Sequence, residues 1–141
     1  ALILDSNGKQ FESTGYRRGG AKAYVDHLMK IRKLGPAGVK AQKAADAAVE
    51  NKYFGELNKE IDEILRPLNA GVPTAEALTK AGDALEKVLP KLDAIKFDAA
   101  DKTLGEEKQA AKKSGITSLV KRIRSHAERA AKKAAKPAEK K

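Results

Sequence analysis

Apolar residues recur along most of this chain at intervals of three and four, the spacing of one face of an α-helix. Ala21, Tyr24, Val25, Leu28 and Ile31 form the first such stripe, and Gly35-Pro36 predicts its end near Leu34. A second helix is expected from about Ala37 through the alanine-rich AQKAADAAVE. Leu57, Ile61, Ile64, Leu65 and Leu68 then make a sharper stripe, closed by a turn over 69–73. Gly55 leaves two options open here, one long helix or two.

Thr74 reads as the N-cap of the next helix, with Glu76 favourable in its first turn. Its stripe is Leu78, Ala81, Leu85, Val88, Leu89 and Leu92. Pro90 is expected to kink or end this helix, with Ile95 and Phe97 beyond the bend. Residues 98–115 are polar, punctuated by Gly105 and Gly115, with room for a short helix over Glu106–Lys113. The last helix is expected to start near Thr117. Ile116, Leu119, Val120, Ile123, Ala127, Ala130, Ala131 and Ala134 fall on one side of it, and Pro137 ends the pattern.

Residues 1–20 differ from the rest. LILDSNGKQFES carries a short apolar run, an Asn7-Gly8 turn signal and then Phe11, the pattern of a β-hairpin. So short a hairpin is marginal in water, so an extended arm ordered by a partner and a frayed terminus are the alternatives. No fixed-period repeat is present, which excludes a solenoid. The pattern therefore predicts an all-α protein, a small bundle or set of helical hairpins with four to five helices. The expected division is an N-terminal arm or short hairpin over 1–20, a helical domain over 21–136 and a basic tail over 137–141.

Composition narrows this picture. Hydrophobic residues make up 41% of the 141, but much of that is alanine and aromatics are only 4%. Alanine favours helices while burying little area, so the core must be thin, or the fold completed by a partner. With no cysteine, disulfides and thiolate metal sites are excluded. No apolar run approaches a membrane span, and nothing at the start reads as a signal peptide. Ala1 fits a natural N-terminus left by removal of an initiator Met. A cytoplasmic or intravirion setting is expected, neither secreted nor transmembrane.

Charge changes the picture most. Residues 111–141 hold eleven Lys or Arg against Glu128 and Glu139, which is +9 of the chain's net +10. Lys121, Arg122, Arg129, Lys132, Lys133 and Lys136 fall opposite the apolar side of the last helix, with Arg124 at its flank. Such a face prefers polyanions, because fixed cations attract phosphate and release its counterions. These seven residues are the candidate phosphate-binding set, aided by Lys140 and Lys141. A solvated cationic surface is the plain alternative, but two acids cannot neutralise this segment. A membrane-surface helix is disfavoured, because the apolar face fades into alanine after Ile123.

The terminal run AERAAKKAAKPAEKK resembles the Ala/Lys/Pro-rich tails of linker histones and bacterial histone-like proteins. The resemblance is one of composition and implies a similar electrostatic role.

A second basic patch comprises Arg17, Arg18, Lys22, Lys30, Arg32, Lys33 and Lys40, with Asp26 the one acid among them. Residues 41–110 are net −4, so charge is sorted positive, negative, positive along the chain. The patch is either a second phosphate-binding face or a surface that neutralises the acidic middle of this or a neighbouring copy. Within it, KIRKLGPAGVKAQKA looks like a helix-hairpin-helix element, through Leu34, Ala37, Gly38 and Val39. Pro36 replaces that pattern's first glycine and removes an amide donor, so a plain helix–helix connection is the better reading.

No catalytic constellation is evident. His27 and His126 lie on different expected helices, and Asp62-Glu63 and Glu106-Glu107 are helix neighbours that point apart. No P-loop, dinucleotide fingerprint or zinc-protease motif occurs, so no enzyme, cofactor, metal or small-molecule substrate is expected. The expectation is a non-enzymatic nucleic-acid-associated protein that contacts DNA or RNA phosphates without strong sequence preference. The alternative is a structural component of a large assembly such as a phage virion, in which the helices and arm make protein contacts and copies self-associate.

Overall fold

A computed structural model describes residues 2–15 and 19–135. Among these residues there are two short strands and three helices: β1 (Leu2–Leu4), β2 (Gln10–Ser13), α1 (Gly20–Asn69), α2 (Ala75–Asp93) and α3 (Lys102–Ala135). The chain divides into two compact units, Ala1–Ala48 and Val49–Lys141, and α1 contributes to both.

The N-terminal unit begins with the hairpin that Asn7-Gly8 implied. Gly8 takes a positive φ of 76°, and the Asp5 carboxylate accepts hydrogen bonds from the backbone N–H of Asn7 and Lys9, each 2.9 Å. Leu2 pairs with Ser13, Ile3 with Glu12 and Leu4 with Gln10. Phe11 is the extra residue, so β2 bulges there. The first segment of α1 breaks at Gly35, whose φ of 66° and ψ of 179° lie in a region essentially reserved for glycine. Pro36 then sits at the start of a new helical segment, where its fixed φ fits and its missing N–H costs nothing. Gly35-Pro36 is thus a one-residue helix–helix connection. Only Ile31 and Val39 among this unit's described apolar residues are buried.

The C-terminal unit packs three helical segments. The end of α1 contributes Val49, Phe54 and Leu57; α2 contributes Leu78, Leu85, Val88 and Leu92; α3 contributes Ile116, Val120, Ile123 and Ala127. Phe54, Leu85, Val88 and Leu92 are fully buried. Each is worth about 1.5–3 kcal/mol relative to exposure. Glu86 pairs with Arg124 and Asp93 with Lys113, which runs α2 antiparallel to α3, and Lys91 of α2 pairs with Glu60 of α1. Thr74 caps α2 as expected, its hydroxyl accepting from the N–H of Ala77 at 3.2 Å.

Three expectations need correction. The four to five helices are three among the described residues, because the segments on either side of the Gly35 kink count as one α1, Gly20–Asn69, and the short helix at 106–113 and the last helix are one continuous α3. Gly105 is not a break but a buried helical position. A Cβ there would lie 2.3 Å from Phe97 Cδ1, so glycine lets the ring lie against the α3 backbone. Pro90 does not end α2, which continues to Asp93; a proline in the last turn disturbs little helix beyond it.

Candidate nucleic-acid interface

The chemistry of α3 follows from which of its sides is buried. Ile116, Val120, Ile123 and Ala127 recur at spacings of three and four and are buried in the C-terminal core. The opposite side therefore points outward, and Lys121, Arg122, Arg129, Lys132 and Lys133 are all exposed there. None of the five makes an ion pair or side-chain hydrogen bond among the described residues, and Glu128 is the one acid on this stretch. From Lys121 to Lys133 the helix rises roughly 18 Å.

The cations earlier on α3 are placed differently. Lys112 pairs with Glu50, donates to Asn58 Oδ1 at 2.9 Å, and sits 5.3 Å from the centre of the Phe54 ring. Lys108 also reaches Glu50, at 3.6 Å. Burial pushes the Glu50 carboxyl up, but hydrogen bonds from Lys112 and Asn58 outweigh it and leave Glu50 below the usual carboxylate range. Lys113 holds both oxygens of Asp93, at 2.8 and 2.7 Å. These contacts tie α3 to α1 and α2.

Arg124 belongs with this second group. Its guanidinium reaches Glu86 at 2.7 Å and Asp83 at 3.3 Å on α2, so two carboxylates already hold it. The seven-residue set expected from sequence therefore separates: five residues form an outward ridge, Arg124 is an interhelical clamp, and Lys136 lies outside the described residues. His126 is exposed beside the ridge, where it lines a shallow groove of about 310 Å³ with Val72, Pro73, Leu78, Arg129 and Lys133.

The described residues of the second patch have different surroundings. Lys22 pairs with Asp26 at 3.0 Å along the helix. Lys30 lines one groove of the N-terminal unit, with His27, Glu12 and Lys43, whereas Arg32 lines another. Lys33 and Lys40 are exposed. Arg17 and Arg18 lie outside the described residues. His27 Nε2 sits 3.1 Å from the Thr14 hydroxyl, so its environment is a hydrogen-bonded groove wall rather than open surface.

One cluster had no signal in the sequence. Lys52 donates to Asp98 and Asp101 at 2.6 and 2.9 Å, and the Tyr53 hydroxyl, with one proton to give, lies 3.0 and 2.8 Å from the same two carboxylates. Hydrogen bonds from Lys52, then Tyr53, hold both aspartates below their usual range, and Asp98 in turn holds the Lys52 ammonium above its own. The cluster pins the 94–101 connection, with Tyr53 and Phe97 ring centres 5.0 Å apart. Its partners are 45–49 residues apart, which no local spacing reveals. Every carboxylate in it already has a partner, so it reads as a structural tie.

Among the described residues, no group of three or more His, Cys, Asp or Glu could hold a metal ion, and no helix is long and apolar enough to cross a membrane. Comparisons with protein-family models, curated proteins and solved structures return no match.

Proposed function

We propose that the protein is a non-enzymatic nucleic-acid-associated protein that lays the α3 ridge along a phosphate backbone without strong sequence preference. The observation that carries this reading is the division of labour on α3. Cations facing the core have carboxylate partners, while Lys121, Arg122, Arg129, Lys132 and Lys133 have none among the described residues. Such cations on a rigid helix gain from a polyanion what no described neighbour in the unit supplies. The ridge spans about five base-pair steps of duplex at 3.4 Å each. It presents no aromatic for base stacking and is suited to positioning rather than to reading sequence.

Five phosphate contacts give a slope of about −4.5 for log affinity against log salt, so affinity falls ~500-fold between 50 and 200 mM. Replacing Lys121, Arg122, Arg129 and Lys132 with Gln should weaken binding to unrelated duplexes equally and flatten the slope by about 3.6. Unchanged affinity and slope in that variant would overturn the assignment.

The second reading, a structural component of a large assembly, is supported by the exposed apolar residues of the N-terminal unit. The two are compatible, since an assembly component can also face nucleic acid.

A further inference from the structure

The N-terminal unit has an apolar surface without a cover. Leu2 is 66% exposed, Leu4 52%, Val25 51% and Met29 63%, whereas Ile31 and Val39 are the only buried apolar residues among those described. The exposed residues are not scattered. At 100° per residue, Val25, Leu28, Met29 and Arg32 share one side of α1 within about 100°. Leu28 and Arg32 join Ile3, Leu4, Phe11 and Pro36 around a groove of about 610 Å³, so strand and helix offer one continuous face. Contiguous exposed apolar surface on an otherwise charged chain marks interaction sites, and Met suits a surface that adapts to its partner.

We propose that this face is a two-fold interface between copies of the chain, with β1 of one copy pairing antiparallel to β1 of the other. Three observations select a second copy as the occupant. Among the described residues β1 hydrogen-bonds to β2 alone, so its outer edge offers backbone groups that the same edge of a second copy can satisfy. A two-stranded hairpin is marginal by itself, and edge pairing makes a four-stranded sheet. The groove also carries its own charge complement. Arg32 makes no ion pair among the described residues, and Asp5 uses only Oδ1 in the turn. Across a two-fold axis, each Arg32 faces the Asp5 of the other copy, so one patch serves as both halves of the interface. With Lys9 between Asp5 and Glu12, the hairpin is nearly neutral and two copies can approach.

The test is the solution mass of the full chain by sedimentation equilibrium between roughly 1 and 100 µM, the range in which micromolar association is read. The expected result is a shift from the 15.1 kDa monomer to twice that mass. Leu4→Glu with Met29→Glu should raise the dissociation constant at least ~tenfold. Both side chains are exposed, so helical circular dichroism should be retained. Arg32→Gln should have a smaller effect in the same direction, and the α3 glutamine variant none. A monomer at every concentration, an open series of larger species, or a dimer unaffected by the Leu4/Met29 pair would each overturn the proposal.

Discussion

The two units of this protein solve the problem of a thin apolar supply in opposite ways. In the C-terminal unit, α2 and α3 close over Phe54, Leu85, Val88 and Leu92, and Tyr53 and Phe97 seal the 94–101 connection. The N-terminal unit buries Ile31 and Val39 and leaves Leu2, Leu4, Val25, Met29 and Leu34 exposed. Electrostatics divides likewise. Core-side cations of the C-terminal unit are matched by Glu50, Asp93, Asp83 and Glu86, which leaves the distal ridge of α3 as surplus charge. A closed unit can offer a rigid charged face; an open one offers apolar surface. One chain can thus hold a polyanion surface and a protein-docking surface on separate units.

The largest effect expected from this contrast is in the cores. Leu85→Ala should cost about 2–5 kcal/mol in denaturant unfolding, because it empties a fully buried site between helices. Met29→Ala, at a 63% exposed site, should stay within about 0.5 kcal/mol for the monomer. Equal costs would break the contrast between a closed and an open unit.

Two glycines come next, each with a different physical reason. Gly105→Ala should cost about 1–3 kcal/mol through overpacking against Phe97. At Gly35 a Cβ meets nothing within 4 Å, so Gly35→Ala should cost a similar ~1–3 kcal/mol through backbone strain alone. Hydrogen exchange separates them: the first should loosen amides of α2 and α3, and the second those around residues 31–39.

Acid should reach the C-terminal unit through its ion pairs. Glu50, Asp98 and Asp101 are held below reference values of 4.5, 3.8 and 3.8. Their contribution is full above those unfolded-state values and is lost as pH falls through the lower folded-state ones. The thermal midpoint should therefore be flat near neutrality and fall below about pH 4.5. Substituting Glu50 with Gln should remove part of that acid dependence. Among the ion pairs the smallest effect is expected at Arg124. Its side chain is about half exposed, so Arg124→Gln should cost about 0.2–1 kcal/mol. Duplex affinity should barely change, in contrast to the ridge residues.

Much of this was legible in the residue pattern, and the parts that were not share a cause. The stripes from Leu78 to Leu92 and from Ile116 to Ala127 mark the buried sides of α2 and α3, because periodicity is local information. Thr74 and the Asn7-Gly8 turn are local too, and both formed as the sequence implied. Gly105 looked like punctuation because its role depends on Phe97, packed against it from the preceding connection. Arg124 looked like a ridge cation because Asp83 and Glu86 lie 41 and 38 residues away. The unity of α3 was hidden for the same reason: tertiary packing, not intrinsic propensity, carries the helix through two glycines.

The most direct test is a comparison of two charge-removal variants in one salt titration against a duplex of arbitrary sequence. One carries Gln at Lys121, Arg122, Arg129 and Lys132, and the other at Lys30, Arg32, Lys33 and Lys40. Each removes the same formal charge, so a nonspecific field would respond equally to both. The expected result is a slope flattened by about 3.6 in the α3 variant and by less than about 1 in the N-terminal variant. Equal flattening, or a larger change from the N-terminal set, would contradict the α3 ridge as the phosphate-binding surface.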